Sequence, residues 1–192
     1  MVYAMTFEVS RRTLLGLIGL GSASLLTACG SDPSTPHTEQ PAPATKQPPK
    51  AAASEVPPAL LTVTVFKDPS CGCCDGWIKH VQENGLSVAV EHPDVLEDVF
   101  ADHDIPVDLQ SCHLTRNTAG TIFVGHVPVR FVLEYLADPT EGSRGLAVPA
   151  MPAGTPGMEM DDQFDPYEVL LLNEDGSASV FAKVETSSDQ SI

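Results

Sequence analysis

Hydrophobic residues from position 60 onward follow two periods, one typical of strands and one typical of helices. The strand-like stretches are short, apolar and bounded by turn-forming residues: 60–66, 86–90, 113–116, 121–124, 169–172 and 177–184. The helix-like stretches, with apolar residues every three or four positions, are 75–84, 95–100 and 128–137. This order predicts an α/β fold, with a mixed sheet flanked by helices and a C-terminal β-hairpin.

The first 28 residues carry the pattern of an export signal. Residues 13–26 are apolar and follow Ser10-Arg11-Arg12, an order typical of a signal peptide and too short for an ordinary membrane span. The arginine pair resembles a twin-arginine signal, although the usual lysine is missing. Leu26-Thr27-Ala28-Cys29 resembles a bacterial lipobox. The sequence therefore predicts a signal peptide over 1–28 and an extracytoplasmic chain anchored to the cell membrane by lipid on Cys29.

Composition divides the rest of the chain. Residues 29–59 are rich in Pro, Ala, Ser and Thr, and predict a disordered tether. Residues 60–185 contain the periodic segments and predict one α/β domain, followed by a disordered tail over 186–192. The whole chain of 192 residues has a net charge of −16, which excludes a nucleic-acid partner because phosphate binding needs clustered Lys and Arg.

A cluster of cysteines lies between the first predicted strand and the first predicted helix. Cys71-Gly72-Cys73-Cys74 contains both a C-x-x-C and a C-x-C pair, and a strand–CxxC–helix order resembles the thioredoxin-like fold. Unpaired N–H groups at a helix start stabilise thiolate, which is both a nucleophile and a metal ligand. The position alone therefore leaves disulfide exchange and metal binding open.

The third cysteine of the cluster favours metal binding. A dithiol oxidoreductase gains little from Cys73, whereas three thiolates plus Cys112 supply four soft sulfur ligands. Soft ligands select Cu(I), Zn or iron–sulfur clusters, and bridging thiolates allow a multinuclear Cu(I) centre. Zinc fits less well, because its structural sites usually have two separated pairs of ligands.

Methionine and histidine supply further candidate ligands. After Cys29 the chain has three methionines, all within 148–160: Met151, Met158 and Met160. Thioethers favour Cu(I), but methionine also fills gaps under loops, and both interpretations stay open. His113 and His126 could each donate a ring nitrogen or hold a structural hydrogen bond. The remaining histidines of the domain are predicted to be solvated: His80, His92 and His103.

Four segments together resemble the CopG-type periplasmic copper-resistance proteins. They occur in family order within about 63–181: Phe66–Cys74 with Trp77, Leu109–His113, Gly125–Pro128 and Arg144–Glu159. The resemblance implies a thioredoxin-like fold and copper handling outside the cytoplasm, with copper ions as cargo and other copper-handling proteins as partners. It also implies a set of metal ligands: Cys71, Cys73, Cys74, Cys112, His113, His126, Met151 and Met158.

The cysteine cluster is compatible with three functions. The favoured one is a copper-binding protein that sequesters or redox-cycles Cu(I). The alternative is an extracytoplasmic thiol–disulfide oxidoreductase, with Cys71 as nucleophile and Cys74 as resolving thiol. The third is a purely structural set of disulfides involving Cys112.

Overall fold

The structure of this chain is a computed structural model that describes residues 56–192. The predicted signal peptide, the lipidation site Cys29 and the tether as far as residue 55 lie outside the described residues. Within 56–192, no helix is long and apolar enough to cross a membrane.

The described residues form seven strands and three α-helices. In chain order these are β1 (Thr62–Lys67), α1 (Gly72–Glu83), β2 (Ser87–Glu91), α2 (Leu96–Asp102), β3 (His113–Asn117), β4 (Ile122–Val124), α3 (Val129–Ala137), β5 (Ser143–Ala147), β6 (Tyr167–Asn173) and β7 (Ala178–Val184). The strands make one sheet in the order β2-β1-β3-β4-β5-β6-β7. Two neighbouring pairs are parallel, β1–β2 and β4–β5, and the others are antiparallel. The predicted α/β fold, its mixed sheet and its C-terminal hairpin are confirmed.

The sheet buries both of its faces. On one face, Trp77 and Val81 of α1 join a core that includes Val65 of β1 and residues of α3. On the other face, Phe100 of α2 packs in a smaller core with Leu114 of β3. The apolar residues that predicted α1 therefore lie on the one face of this helix that packs against the sheet.

The helix that carries the cysteines starts earlier than predicted. The periodicity predicts a start at Asp75, whereas α1 begins at Gly72 with Cys71 as its N-cap. Cys71 makes no side-chain capping hydrogen bond, so no capping motif marks this start in the sequence. As a result, Cys73 and Cys74 lie inside the first helical turn.

Strand β5 is missing from the predicted elements. It lies between β4 and β6, well inside the sheet, where both faces are covered. Arg144 and Gly145 interrupt its apolar pattern, and Gly145 sits so close to β4 that a Cβ there would overlap the Ile122 carbonyl. Close backbone contact therefore explains a glycine that otherwise argues against a strand.

Both predicted edges of the domain are corrected. Val56 is buried in the main core, so the domain begins before residue 60. At the other end, Ser187–Gln190 form a short 3-10 helix instead of a disordered tail. Gln190 Nε2 donates a hydrogen bond to the Gly154 carbonyl at 2.7 Å, and Arg130 Nη1 donates to the Asp189 carbonyl at 2.7 Å. These hydrogen bonds hold residues 187–190 against the domain. Composition alone does not reveal them.

Candidate metal centre

A tight turn between β1 and α1 presents the first three cysteines. The Ser70 N–H donates a hydrogen bond to Asp68 Oδ1 at 2.7 Å, and the Cys71 N–H donates to the Asp68 carbonyl at 3.1 Å. This arrangement ends the strand and starts the helix within four residues. The cysteine sulfurs therefore lie at a helix N-terminus, where unpaired N–H groups favour negative charge.

The cysteines of this turn are in two redox states. Cys71 and Cys74 form a disulfide, while Cys73 is a free thiol whose sulfur lies 3.5 Å from that of Cys71. Cys74 is fully buried, and its sulfur lies 3.6 Å from the Cys112 carbonyl. The pair that could exchange disulfides is thus also part of the larger sulfur cluster.

Strand β3 brings the fourth cysteine to the same place. Cys112 is a free thiol immediately before β3, and β3 pairs with β1 so that His113 is opposite Lys67. The sulfurs of all four cysteines lie within 4.8 Å of one another: Cys71, Cys73, Cys74 and Cys112. The structure therefore brings together all four cysteines that the sequence analysis names as candidate ligands.

Two histidines extend this cluster into a second donor set. Ligand atoms of Cys74, Cys112, His113 and His126 also lie within 4.8 Å of one another. His126 Nε2 is 2.9 Å from the Cys112 sulfur, and its Nδ1 is 2.7 Å from the Pro156 carbonyl. Because a carbonyl only accepts, Nδ1 carries the hydrogen and the Nε2 lone pair faces the sulfur. The backbone thus fixes the orientation of the His126 ring, with Nε2 facing the Cys112 sulfur.

His113 lies deeper than His126. Its side chain is fully buried, with Nδ1 3.4 Å from the Cys112 sulfur and its ring centre 4.6 Å from that of Trp77. Among the described residues, Nε2 of His113 has no hydrogen-bond partner. The buried nitrogen without a partner is thus Nε2, and the nitrogen that faces the Cys112 sulfur is Nδ1.

Burial keeps this part of the site uncharged when no metal is bound. Burial, with the neighbouring Cys73, raises the pKa of the Cys112 thiol to about 12. Burial also lowers the pKa of His126, and it lowers that of His113 further, with help from nearby positive charge. At neutral pH the Cys112 S–H therefore donates to a neutral His126. Metal binding has to displace this proton, so it is favoured by rising pH.

The loop over residues 148–160, which carries the three methionines and is called the methionine loop below, lies against α1, the helix that carries the cysteines. A Cβ at Gly157 would come within 2.5 Å of the Cys73 carbonyl oxygen and of the Trp77 backbone nitrogen. Met158, the next residue, is half-buried, whereas Met151 is 49% exposed. The loop therefore borders the cluster, and ligation by Met151 or Met158 stays a prediction.

The predicted solvation of the other histidines is wrong for His80. His80 is half-buried, and its Nε2 accepts a hydrogen bond from the Val129 N–H at 3.1 Å, at the start of α3. Burial lowers the pKa of His80. The contact depends on how α3 packs beside α1, so the pattern around His80 alone does not predict it. His92 is exposed, and His103 is half-buried with its Nδ1 2.8 Å from the Val99 carbonyl.

Sequence reasoning also overlooked Lys67. Its side chain is 2% exposed and pairs with Asp75, at 2.9 Å between Nζ and Oδ1. A signal was present, because Val63, Val65 and Lys67 alternate along β1 and the two valines are buried. The period-2 alternation of β1 therefore predicts that the Lys67 side chain is buried on the same face as the two valines.

Comparison with known proteins places the chain among relatives. The family described as "Protein of unknown function, DUF411" matches residues 109–158. A search of curated proteins finds no match. One solved structure, "Copper resistance protein copG- Form 2", is 36% identical with a TM-score of 0.60, and the match covers 64% of this chain and 97% of that one. "Copper resistance protein copG- Form 1" is 37% identical with a TM-score of 0.61, covering 65% and 98%. Since the match spans nearly all of both solved chains at more than one-third identity, this chain belongs to the CopG-type copper-resistance protein family.

Proposed function

We propose that this chain binds Cu(I) outside the cytoplasm and protects the cell from copper by holding the ion. The observation that carries the proposal is the set of four cysteine sulfurs within 4.8 Å of one another. Thiolate clusters of this kind select soft metals, of which Cu(I) is one. The two solved relatives are named as copper-resistance proteins, which favours copper over zinc.

The two overlapping donor sets support more than one bound ion. One set has four sulfurs, and the other has two sulfurs and two imidazole nitrogens. Cys74 and Cys112 belong to both sets. Because a thiolate can bridge two metals, these two residues are the expected bridges, and His113 and His126 the expected terminal ligands.

Binding through all four cysteines requires the reduced protein. An external dithiol reductant supplies two electrons and two protons to the Cys71–Cys74 disulfide, which becomes two thiols while the reductant becomes a disulfide. Each thiol then loses its proton as it ligates copper. We therefore expect the oxidised chain to bind less Cu(I) than the reduced chain.

The direct test is an anaerobic titration of the reduced chain with Cu(I) in competition with a chromophoric chelator. The wild type should take up Cu(I), Cys73→Ser and Cys112→Ser should each lose most of the tight binding, and the oxidised wild type should bind less. Met151→Leu and Met158→Leu test the two thioethers separately. Absence of tight Cu(I) binding by the reduced wild type would refute the proposal.

A thiol–disulfide oxidoreductase is the second candidate, and one observation favours it. The Cys71–Cys74 disulfide lies at a helix N-terminus, with Cys71 partly exposed and Cys74 buried. That is the arrangement of an attacking and a resolving thiol. If reduction of a protein disulfide is lost in Cys71→Ser but unchanged in Cys73→Ser, this function is the better description.

We also propose that the chain is exported and anchored by lipid on Cys29. The proposal rests on the twin-arginine-like and lipobox-like segments of the first 29 residues. Cys29→Ala should release the chain from the membrane fraction of the native host and abolish incorporation of a labelled fatty acid. Unchanged membrane association of this variant would contradict the anchor.

A further inference from the structure

Lys67 is an unusual cation in this domain. The described part of the chain has six Lys and Arg residues, and Lys67 is the one that is buried. Its only ion-pair partner within 56–192 is Asp75, whose side chain is 66% exposed. A buried ammonium is thus paired with a carboxylate that is largely hydrated.

The lysine is located between the two elements that carry the cysteines. Lys67 is the last residue of β1 and lies directly opposite His113 of β3, so the two side chains share one face of the sheet. Its partner Asp75 follows Cys74 in the first turn of α1. Lys67 therefore lies on the sheet face that carries His113, and its ammonium is 2.9 Å from the carboxylate of the residue that follows Cys74.

Folding stability alone does not explain this lysine. Burying an ammonium costs free energy, and a pair with a hydrated carboxylate returns little of it. A methionine of similar length would fill the space without that cost. The chemistry of the neighbouring cluster supplies a better reason. Four thiolates carry four negative charges, so the assembly is anionic whenever fewer than four Cu(I) ions are bound to it.

We propose that Lys67 is the charge-compensating residue of the metal centre, and that its ammonium stabilises the anionic copper–thiolate form. This inference rests on the proposed Cu(I) binding and adds a positioning residue to it. Lys67 does not ligate the metal. It acts through the field that it creates at the thiolates, and Asp75 weakens that field by offering a competing negative charge.

The test compares Cu(I) affinity of the full reduced chain and three variants by competition with a chromophoric chelator. Lys67→Met removes the charge but keeps the length, and should weaken Cu(I) binding by roughly tenfold or more. Lys67→Arg keeps the charge, and should bind within about threefold of the wild type. Asp75→Asn removes the competing negative charge and frees the ammonium from its partner, and should bind Cu(I) more tightly than the wild type. Thermal unfolding of each metal-free variant checks that it is folded.

The outcomes separate this inference from the proposed function. If the wild type binds no Cu(I), the proposed function fails and the inference fails with it. If the wild type and Lys67→Met bind equally tightly, only the role of Lys67 is refuted. Equal losses in Lys67→Met and Asp75→Asn would show that the ion pair merely ties β1 to α1. Should Lys67→Met not fold, Asp75→Asn decides, because tighter Cu(I) binding than in the wild type follows only from the charge mechanism, and equal or weaker binding refutes it.

Discussion

Gly157→Ala is the substitution that most directly tests how the methionine loop is held against the cysteine helix. Gly157 has a φ of +87°, and an added Cβ would lie 2.5 Å from both the Cys73 carbonyl oxygen and the Trp77 backbone nitrogen. Both atoms belong to the helical backbone of α1, which cannot move cheaply. Alanine at this position must therefore push the loop away from the helix.

Gly120→Ala provides a matched control for the backbone conformation. Gly120 has a φ of +90°, and an added Cβ there would meet nothing within 4 Å. Placing an L-residue in the left-handed region costs about 1–2 kcal/mol, and both variants have this cost. Overpacking typically adds about 1–3 kcal/mol. We expect Gly157→Ala to lower the free energy of unfolding by about 2–5 kcal/mol, against about 1–2 kcal/mol for Gly120→Ala.

The same displacement should reach the metal centre. Pro156, the residue before Gly157, accepts the Nδ1 hydrogen of His126 at 2.7 Å and so fixes the orientation of that ring. Urea denaturation followed by circular dichroism gives the two free energies, and chelator competition gives the Cu(I) affinities. Gly157→Ala should lose both stability and affinity, and Gly120→Ala stability alone. Equal unfolding free energies in the two variants would refute the proposed contact.

Three further predictions concern pH and packing. Burial lowers the pKa of His80 from 6.5, so the unfolded chain binds a proton more readily and stability falls as the pH drops below about 6.5; urea titrations should show a shallower decline for His80→Gln than for the wild type. Trp77→Phe removes the 2.8 Å hydrogen bond from Nε1 to the Val127 carbonyl and should cost about 1–3 kcal/mol, measured by circular dichroism because Trp77 is the sole tryptophan. Phe100→Ala leaves a cavity in the smaller core on the opposite face of the sheet, and should lower the free energy of unfolding in urea by about 3–5 kcal/mol. Cu(I) affinity should be unchanged in Phe100→Ala, and a loss there would show that the two faces are coupled.

The sequence predicts the elements whose burial is one-sided. In α1, Trp77, Ile78 and Val81 recur at helical spacing because that face alone is buried. The terminal hairpin is likewise found from apolar runs separated by the turn at Asn173–Gly176. In β5, Arg144 and Gly145 interrupt the apolar run, and a glycine within a short segment argues against a strand. Geometry beyond the local segment is needed for that strand.

Around the candidate site, contacts between residues close in sequence could be predicted, and contacts between distant residues could not. Cys71, Cys73 and Cys74 are close in sequence, so their shared position follows from local structure. His80 shows the opposite case, because its partner is the N–H of Val129, 49 residues away. Lys67 was accessible to pattern reasoning but carries a charge, and composition assigns charged residues to the surface by default.

The contribution of strand β3 is what separates a metal centre from a redox disulfide. A CxxC pair at a helix start suits disulfide exchange and metal binding equally well, because both need thiolate. Cys112 favours metal binding over disulfide exchange. It adds a fourth sulfur from the start of β3, the strand beside β1, and this sulfur lies 2.9 Å from His126 Nε2. A resolving step needs no buried thiol whose pKa is raised to about 12, because such a thiol is a poor nucleophile. A soft metal can displace its proton, so the raised pKa of Cys112 fits the proposed copper binding better than a redox role. Reactivity towards alkylating agents is therefore expected to be low at Cys112 in the metal-free chain, and a Cys112 that reacts as fast as Cys73 would contradict this argument.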